Sequence, residues 1–151
     1  MAELLTDEIK SWIGRADPPE RVEITRRDII KYSLATEQTL DKYRNGDEAP
    51  PMFLFGAHTP ISSLEELGPD GLRPDSLLPE LPLKRVMAGG IAQKQFRPIC
   101  AGDVVYLQRT LTNIYEKQGK SGPLIFVEYE IDTRSEDGEL VTRQTQTRIV
   151  R

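Results

Sequence analysis

A chain of 151 residues and 17.1 kDa is long enough for one folded domain, which at this size buries roughly 70% of its unfolded surface. Hydrophobic residues make up 38% and charged residues 29% of the sequence, which excludes a disordered or collagenous chain. The net charge of -4 at pH 7 argues against sequence-independent binding of nucleic acid, because such binders carry an excess of basic residues.

A single cysteine, Cys100, and a single histidine, His58, limit the chemistry further. No disulfide can form within the chain, and the first residues lack the basic and apolar regions of a secretion signal, so we expect a reducing, cytoplasmic setting. Zinc sites draw on several Cys and His residues, so we expect no metal and no other cofactor. No stretch approaches the ~20 apolar residues of a membrane span, so we expect no membrane partner.

Two short elements are predicted at the start of the chain. Residues 3–14 place apolar side chains at spacings of three and four, which predicts an amphipathic helix that Gly14 ends. After a pair of prolines, the alternation in Glu20–Thr25 predicts a strand. Residues 1–19 are therefore expected to form an N-terminal helix and linker.

A longer helix is predicted directly after this strand. Thr25 and Asp28 have the spacing of a capping box, with Asp in place of Glu. An apolar stripe then continues to about Tyr43, which predicts a helix buried at the centre of the fold. The residues of this stripe are Ile29, Ile30, Leu34 and Leu40.

A proline-rich insertion spans residues 44–83 and holds seven of the chain's eleven prolines. We expect little regular structure there beyond one helical turn at residues 63–67. Long irregular stretches in a compact domain are either functional or disordered, and the apolar run Met52–Phe55 favours an ordered, packed segment.

The rest of the chain alternates between strands and turns, and we expect its four strands to form an antiparallel meander. Alternation is clearest in the third, where Ile125, Val127 and Tyr129 share one face. Neither face of the last strand is strongly apolar. The predicted strands are Lys84–Phe96, Val104–Tyr115, Leu124–Thr133 and Leu140–Val150.

These elements predict an α+β fold. The economical packing of one apolar helix with several antiparallel strands is a sheet curled around the helix, which is the hot-dog architecture. We predict a single hot-dog domain over residues 1–151. Because a lone hot-dog exposes an edge of its sheet, we also expect a homodimer or a heterodimer.

Four segments carry a resemblance to a known family: HTPISSLEELGPDG at 58–71, LPLKRVMAGG at 81–90, FRPICAGD at 96–103 and KQGKSGPLIFV at 117–127. In this order they resemble the amino-terminal half of MaoC-like (R)-specific double hot-dog hydratases and dehydratases. The likeness is to the group of mesaconyl-C4-CoA (3-methylfumaryl-CoA) hydratase and mitochondrial-type 3-hydroxyacyl-thioester dehydratase, and covers roughly residues 20–151. It implies a hydro-lyase reaction on a 2-enoyl or 3-hydroxyacyl thioester of coenzyme A or acyl carrier protein.

The sequence departs from the family's catalytic pattern. Family members use an Asp and a His, in an Asp-x-Asn-x-x-His type pattern, to activate water, and residues 31–41 have no histidine at that spacing. In double hot-dog members the carboxy-terminal half supplies this pair. The resemblance therefore implies a subunit that contributes the acyl-CoA tunnel and associates with a MaoC-type catalytic chain.

Two residues are candidate catalytic bases if the chain works alone. His58 lies in the proline-rich insertion, where a loop histidine satisfied by a backbone group is the plainer interpretation. Asp41 lies in a polar stretch, where a surface carboxylate is the plainer one. A self-sufficient homodimeric hydratase or thioesterase, and a non-catalytic acyl-CoA-binding module, remain alternative functions.

Six further residues are candidates for substrate binding. By resemblance, the first long strand lies beside the acyl tunnel, although its glycines also fit a plain β-bulge. The hairpin turn before the third strand is either an ordinary solvated turn or a contact to the phosphates of coenzyme A. The candidates are Arg85, Gly89 and Gly90 on the strand, and Lys117, Lys120 and Ser121 at the turn.

Overall fold

A computed structural model describes residues 4–57 and 61–151. Five antiparallel strands form one sheet in the order β1-β3-β4-β5-β2. No helix in the described ranges is long and apolar enough to cross a membrane. The strands are β1 (Glu20–Glu23), β2 (Val86–Gln95), β3 (Val104–Gly119), β4 (Gly122–Ser135) and β5 (Leu140–Val150), and the helices are α1 (Asp7–Lys10), α2 (Arg26–Ala35), α3 (Asp41–Arg44) and α4 (Phe53–Ala57).

One face of the sheet, here called the inner face, is covered by the helices and by the proline-rich insertion. Strand register places alternate residues of β3, β4 and β5 on it, and confirms the alternation predicted for β4. Its largest side chain is Tyr129, which is fully buried. Fully buried apolar side chains of the same cluster surround this tyrosine: Leu111, Ile125, Val127 and Val150.

Two apolar clusters cover the inner face. On one side, Ile29 of α2 is fully buried and packs with Phe53 of α4 and Val105 of β3. On the other side, Leu5 and Ile9 of the N-terminal segment pack with Leu77 and Leu81 of the insertion. The insertion is therefore an ordered, packed segment in its described part, as its apolar residues predicted.

Several predicted details are confirmed. The Thr25 hydroxyl accepts a hydrogen bond from the Asp28 amide, which caps the N-terminus of α2. The helical turn predicted at 63–67 is a short 3-10 helix, Leu64–Glu66, with Ser63 in a capping box. The last strand has the predicted bounds, while β3 and β4 extend beyond theirs.

The prediction of a four-stranded meander is wrong, because β2 pairs with β5 at the far edge and not with β3. The connection from β2 to β3 is too long for a tight hairpin and passes across the end of the sheet. Along it, the Ile99 carbonyl accepts from the Ala49 amide, and the Gly102 amide donates to the Ile24 carbonyl. These hydrogen bonds hold the connection in place where it crosses from one edge of the sheet to the other.

Both predicted helices are shorter than expected. The helix α2 ends at Ala35 instead of Tyr43, and Leu34 and Leu40 are exposed by 63% and 53%. The polar run after Ala35 ends the helix: Thr36 bonds back to the Tyr32 carbonyl, and Glu37 adopts a positive φ of 54°. The first helix spans four residues, Asp7–Lys10, and continues as turns to Gly14.

Candidate functional site

A cleft of about 390 Å³ lies where the β3-β4 hairpin turn approaches the start of β2, and we call it the basic cleft. Arg85 holds the terminal residue Arg151 through a reciprocal pair of backbone hydrogen bonds of 2.9 Å. This pairing places two guanidinium-bearing residues beside Ser121. The residues lining the basic cleft are Leu83, Arg85, Ser121, Gly122, Pro123, Leu124 and Arg151.

A tight hairpin forms one wall of this cleft. Gly119 pairs with Gly122 across a two-residue turn made by Lys120 and Ser121. Gly122 has a φ of 133°, a conformation that glycine adopts without steric cost. Within this turn, Ser121 lines the basic cleft and the neighbouring Lys120 is exposed.

A second cavity of about 200 Å³, here called the inner groove, follows β2 beneath Phe55 of α4. Its floor is β2 and β5, and β2 contains a β-bulge there: the register shifts between Ala88 and Gly90. Mostly apolar residues line it, with one arginine and one glutamine: Phe55, Val86, Met87, Ala88, Gly90, Ile91, Gln146, Thr147 and Arg148.

The two glycines of the bulge have different surroundings. A Cβ atom on Gly89 would lie 3.0 Å from the Thr147 carbonyl oxygen and from Ile149, so glycine permits the close approach of β2 to β5. A Cβ atom on Gly90 would meet nothing within 4 Å, and Gly90 lines the groove. The bulge interpretation is confirmed, and Gly90 also contributes space to the groove.

A chain of three amides orients the glutamine of the groove. Gln146 donates to Gln144 at 2.7 Å, Gln144 donates to Gln93 at 3.0 Å, and Gln93 donates to the Pro51 carbonyl at 2.5 Å. Because each of these amide nitrogens donates to the next group in the series, the side-chain carbonyl oxygen of Gln146 remains as an acceptor.

A charged cluster on the inner face includes Arg148, which also lines the groove. Asp75 of the insertion accepts from Arg148 of β5 and, at 2.8 Å, from Arg109 of β3. The two guanidinium carbons lie 5.2 Å and 5.0 Å from the centroid of the Tyr129 ring, whose hydroxyl is 3.4 Å from Asp75. Asp17 adds a second carboxylate to Arg109 at 3.0 Å.

Burial and charge shift the pKa values of this cluster in opposite directions. Burial raises the pKa of the Asp75 carboxyl, but the Leu77 amide and the guanidiniums of Arg109 and Arg148 outweigh it, so the pKa is lowered below its ordinary value. Burial, assisted by the charge of Asp75, raises the pKa of Tyr129 to about 12. At neutral pH the cluster therefore holds an ionised carboxylate and a protonated phenol.

The structure separates the six candidate binding residues into three groups. Arg85 and Ser121 line the basic cleft, and Gly90 lines the inner groove with Gly89 next to it. The ammonium of Lys117 lies over the stacked rings of Tyr115 and Phe126, at 5.2 Å and 5.0 Å from their centroids, and Lys120 is exposed on the turn.

The two candidate bases lie apart from both cavities or outside the described chain. Asp41 is the exposed first residue of α3, and it lines neither the basic cleft nor the inner groove. His58 lies outside the described residues.

Sequence reasoning missed the charged cluster and the groove's polar residues. The signal was present in β5, where Thr142, Gln144, Gln146 and Arg148 alternate on one face. Strand register puts this polar face on the inner side of the sheet, next to Tyr129. A polar row on the buried side of a strand is typical of a lined cavity, because a packed core would leave these groups unsatisfied.

Comparison with known proteins identifies the family. A family profile described as FAS1-like, dehydratase domain region, matches residues 11–144. The chain belongs to this family of MaoC-like hot-dog dehydratase domains. It is also 28% identical over 123 residues to the mesaconyl-C(4)-CoA hydratase of Chloroflexus aurantiacus, an alignment that covers 78% of this chain and 42% of that protein.

Solved structures show the same hot-dog fold at low sequence identity. The chain resembles a chain of the ChsH1-ChsH2 complex from Mycobacterium tuberculosis with a TM-score of 0.66 and 18% identity, covering 94% of this chain and 90% of that one. A chain of the HadBC (3R-hydroxyacyl-ACP dehydratase) complex from the same organism matches with a TM-score of 0.63 and 14% identity, covering 91% and 96%. The MaoC-like dehydratase from Rhodospirillum rubrum gives 0.58 and 20%, with 91% of both chains covered.

Proposed function

We propose that this chain is a subunit of an enoyl-thioester hydratase or 3-hydroxyacyl-thioester dehydratase, in which it binds the acyl-CoA and a second chain supplies the catalytic acid and base. The observation that carries the proposal is that the two cavities are lined by consecutive residues at the start of β2 in a chain of the dehydratase family. Arg85 lines the basic cleft, and the next residue, Val86, lines the inner groove. An acyl-CoA likewise has phosphates at one end and an acyl group at the other.

The composition of the basic cleft supports the phosphate end of this assignment. Arg85 and Arg151 offer guanidiniums, whose planar arrays of donors match phosphate oxygens. The Ser121 hydroxyl is a further donor, and Lys120 adds a positive charge beside it. We assign the phosphates of coenzyme A to this cleft.

The composition of the inner groove supports the acyl end. Phe55, Val86 and Ile91 provide an apolar wall that suits a hydrocarbon chain. With its amide nitrogen bonded to Gln144, Gln146 has a side-chain carbonyl oxygen that can accept a hydrogen bond from a hydroxyl group or a water molecule. A 3-hydroxyacyl group or its 2-enoyl product with water fits this combination.

The chemistry of the groove favours a second chain for proton transfer. Addition of water to an enoyl thioester needs a base for the water and an acid for the α-carbon. The described residues that line the groove include no carboxylate, imidazole, thiol or phenol side chain to serve as that base or acid. The proposal therefore assigns the acid and the base to a MaoC-type partner.

The exposed edge strand β2 supports this assembly. Val86, Met87 and Ile91 are exposed by 47%, 38% and 43%, and they border the groove. The opposite edge, β1, is short and carries Glu20, Arg21 and Glu23, the kind of charged edge that resists pairing. We propose that β2 pairs with a second hot-dog chain, and two of the structures that resemble this chain are named as two-component complexes.

The test is hydration of crotonyl-CoA by the purified chain alone and after mixing with a MaoC-type chain that carries the Asp/His pair, with mass measured by light scattering. We expect activity and a larger mass in the mixture alone. Activity of the isolated chain would contradict the division of labour, and His58→Ala and Asp41→Ala would then locate its base. Failure both to bind crotonyl-CoA and to associate would overturn the proposal.

A matched pair of variants tests the basic cleft. Arg85→Glu reverses a charge that lines the cleft, so we expect weaker binding of crotonyl-CoA by about tenfold or more. Arg27→Glu makes the same change of net charge at an exposed position of α2 and should leave the affinity unchanged. Equal losses of affinity in both variants would show that the net charge of the protein, and not the charge in the basic cleft, determines binding.

A further inference from the structure

The face of the sheet opposite the inner face, here called the outer face, carries an aromatic pair near the β3-β4 hairpin turn. Because Ile125 and Val127 are buried on the inner face, Phe126 between them lies on the outer one. Strand register places Tyr115 of β3 on one side of Phe126 and Ile149 of β5 on the other. The rings of Tyr115 and Phe126 are stacked, with centroids 5.1 Å apart, and both side chains are partly exposed. These residues form an apolar row across the outer face.

Positive charge lies on the side of this row that faces the basic cleft. Lys117 and Leu124 are cross-strand partners two residues closer to the hairpin turn on the same face, and Leu124 lines the cleft. Two residues of a strand span about 7 Å, so the row borders the cleft. In the part of the chain that the structure describes, no ion pair joins Lys117, Lys120 or Arg85 to a carboxylate. In a chain with a net charge of -4, these cations form a local site for an anion.

A hydrogen-bond acceptor lies on the other side of the row. Register places Glu128 of β4 between Asn113 and Thr147 on the outer face, two residues further from the hairpin turn than the aromatic pair. The Tyr115 hydroxyl donates to one carboxylate oxygen of Glu128 at 3.1 Å, which orients this carboxylate beside the rings. The second oxygen of Glu128 accepts no hydrogen bond from residues 4–57 or 61–151, so it is available to a donor on a ligand.

The order of these groups along the outer face matches an adenine nucleotide. Cations suit its phosphates, and aromatic rings stack with its base. Adenine has an amino group that can donate to Glu128, whereas guanine has a carbonyl oxygen at the same ring position, which a carboxylate repels. We propose that Phe126, Tyr115 and Glu128 form a binding site for adenine, which the 3′-phospho-ADP part of coenzyme A occupies with its phosphates in the basic cleft.

The position of the basic cleft at the end of the sheet agrees with this site. Its lining includes residues from both faces, because Leu83 packs against the inner-face cluster and Leu124 lies on the outer face. An acyl-CoA with its adenine on the outer face therefore directs its other end towards the inner groove. Lys117, whose ammonium lies 5.0 Å from the centroid of the Phe126 ring, has a flexible side chain that can move to a phosphate when a base covers the ring.

This inference rests on the proposed acyl-CoA function, and calorimetry with the full chain separates the two. Crotonyl-CoA, adenosine 3′,5′-bisphosphate and guanosine 3′,5′-bisphosphate are titrated, because the two nucleotides carry the same phosphates and differ in the base. We expect the adenosine nucleotide to bind at least about tenfold more tightly than the guanosine nucleotide and to compete with crotonyl-CoA. Equal or absent binding of the two nucleotides, or no competition, would overturn the adenine site while the acyl-CoA function stands; if crotonyl-CoA does not bind, both are overturned.

Two variants and a control assign the recognition to these residues. Phe126→Ala removes a stacking ring, so we expect the affinity for crotonyl-CoA to fall about tenfold. Phe96→Ala removes an exposed ring that lies beneath Lys94 and lines neither cavity, so the affinity should stay within about twofold. Glu128→Gln keeps an acceptor for Tyr115 and adds a donor for guanine, so it should remove the preference for the adenosine nucleotide. Equal losses in the two Phe variants, or an unchanged preference in Glu128→Gln, would overturn the site, and thermal unfolding checks that each variant folds.

Discussion

At the scale of single residues, Asp75 joins the proline-rich insertion to the sheet. Its side chain is 11% exposed and meets arginines from two strands, whose side chains are 22% and 32% exposed. Asp75→Asn removes the carboxylate paired with Arg148 and one of the two paired with Arg109, so we expect a loss of about 2 kcal/mol in the free energy of unfolding. Urea denaturation measures it, and Asp41→Asn, at an exposed position of α3, should stay within about 0.5 kcal/mol of the wild type.

The same carboxylate gives stability a dependence on pH. The pKa of Asp75 is lowered in the folded chain, so its stabilisation is fully present above the ordinary value of 3.8 and is lost as the pH falls through the lowered one. Asp132, whose pKa is lowered chiefly by its hydrogen bond with Arg143, acts in the same direction. Urea midpoints measured from about pH 6 to about pH 3 should therefore fall less steeply for Asp75→Asn than for the wild type. If the urea midpoints of the two proteins fall in parallel as the pH is lowered, the ionisation of Asp75 does not contribute to stability.

At the scale of elements, Gly46 sets how closely α2 and α3 approach. It has a φ of 73°, and a Cβ atom there would lie 2.7 Å from both the Cγ atom and the carbonyl oxygen of Arg26. Gly46→Ala combines backbone strain with this clash, so we expect a loss of about 3 kcal/mol in the free energy of unfolding. Gly14→Ala has the strain of a φ of 94° without a neighbour within 4 Å, and about 1 kcal/mol is expected. If urea denaturation gives the same loss of stability for both variants, the clash at Gly46 does not contribute.

The elements also show what local sequence patterns determine. The bounds of β5, the cap at Thr25 and the turn near Ser63 depend on neighbouring residues, and they were predicted from sequence. The pairing of β2 with β5 depends on contacts between distant residues, and a local pattern contains no information about which edge a strand joins.

The parts of the candidate site that depend on local sequence were predictable. The paired glycines at 89–90 indicated a bulge, and Arg85 and Ser121 were identified as binding candidates that the structure brings to one cleft. Arg109, Arg148 and Asp75 come from β3, β5 and the insertion, so their convergence depends on the tertiary fold. The polar face of β5 was visible, but only strand register shows that it is the inner one.

At the scale of the whole molecule, both cavities border the same edge of the sheet. β2 contributes Val86, Ala88 and Ile91 to the inner groove and follows directly on Arg85 of the basic cleft. An edge strand has unpaired backbone groups along one side, and a partner strand that pairs with it would also extend over the open groove. Assembly and completion of the site are therefore expected to be one event.

This coupling predicts the effect of charges placed on the edge strand. Ala92 is exposed on the side of β2 opposite the inner face and lines neither cavity, so Ala92→Lys adds a positive charge along the edge. Because lysines on edge strands oppose pairing, we expect light scattering of the mixture with a MaoC-type chain to show the variant at its own mass of 17.1 kDa. Thr145→Lys adds the same charge at an exposed position of β5, which is flanked by β2 and β4, and should leave the complex intact. If the β2 variant assembles as the wild type does, the partner binds at another surface and the groove is completed without β2.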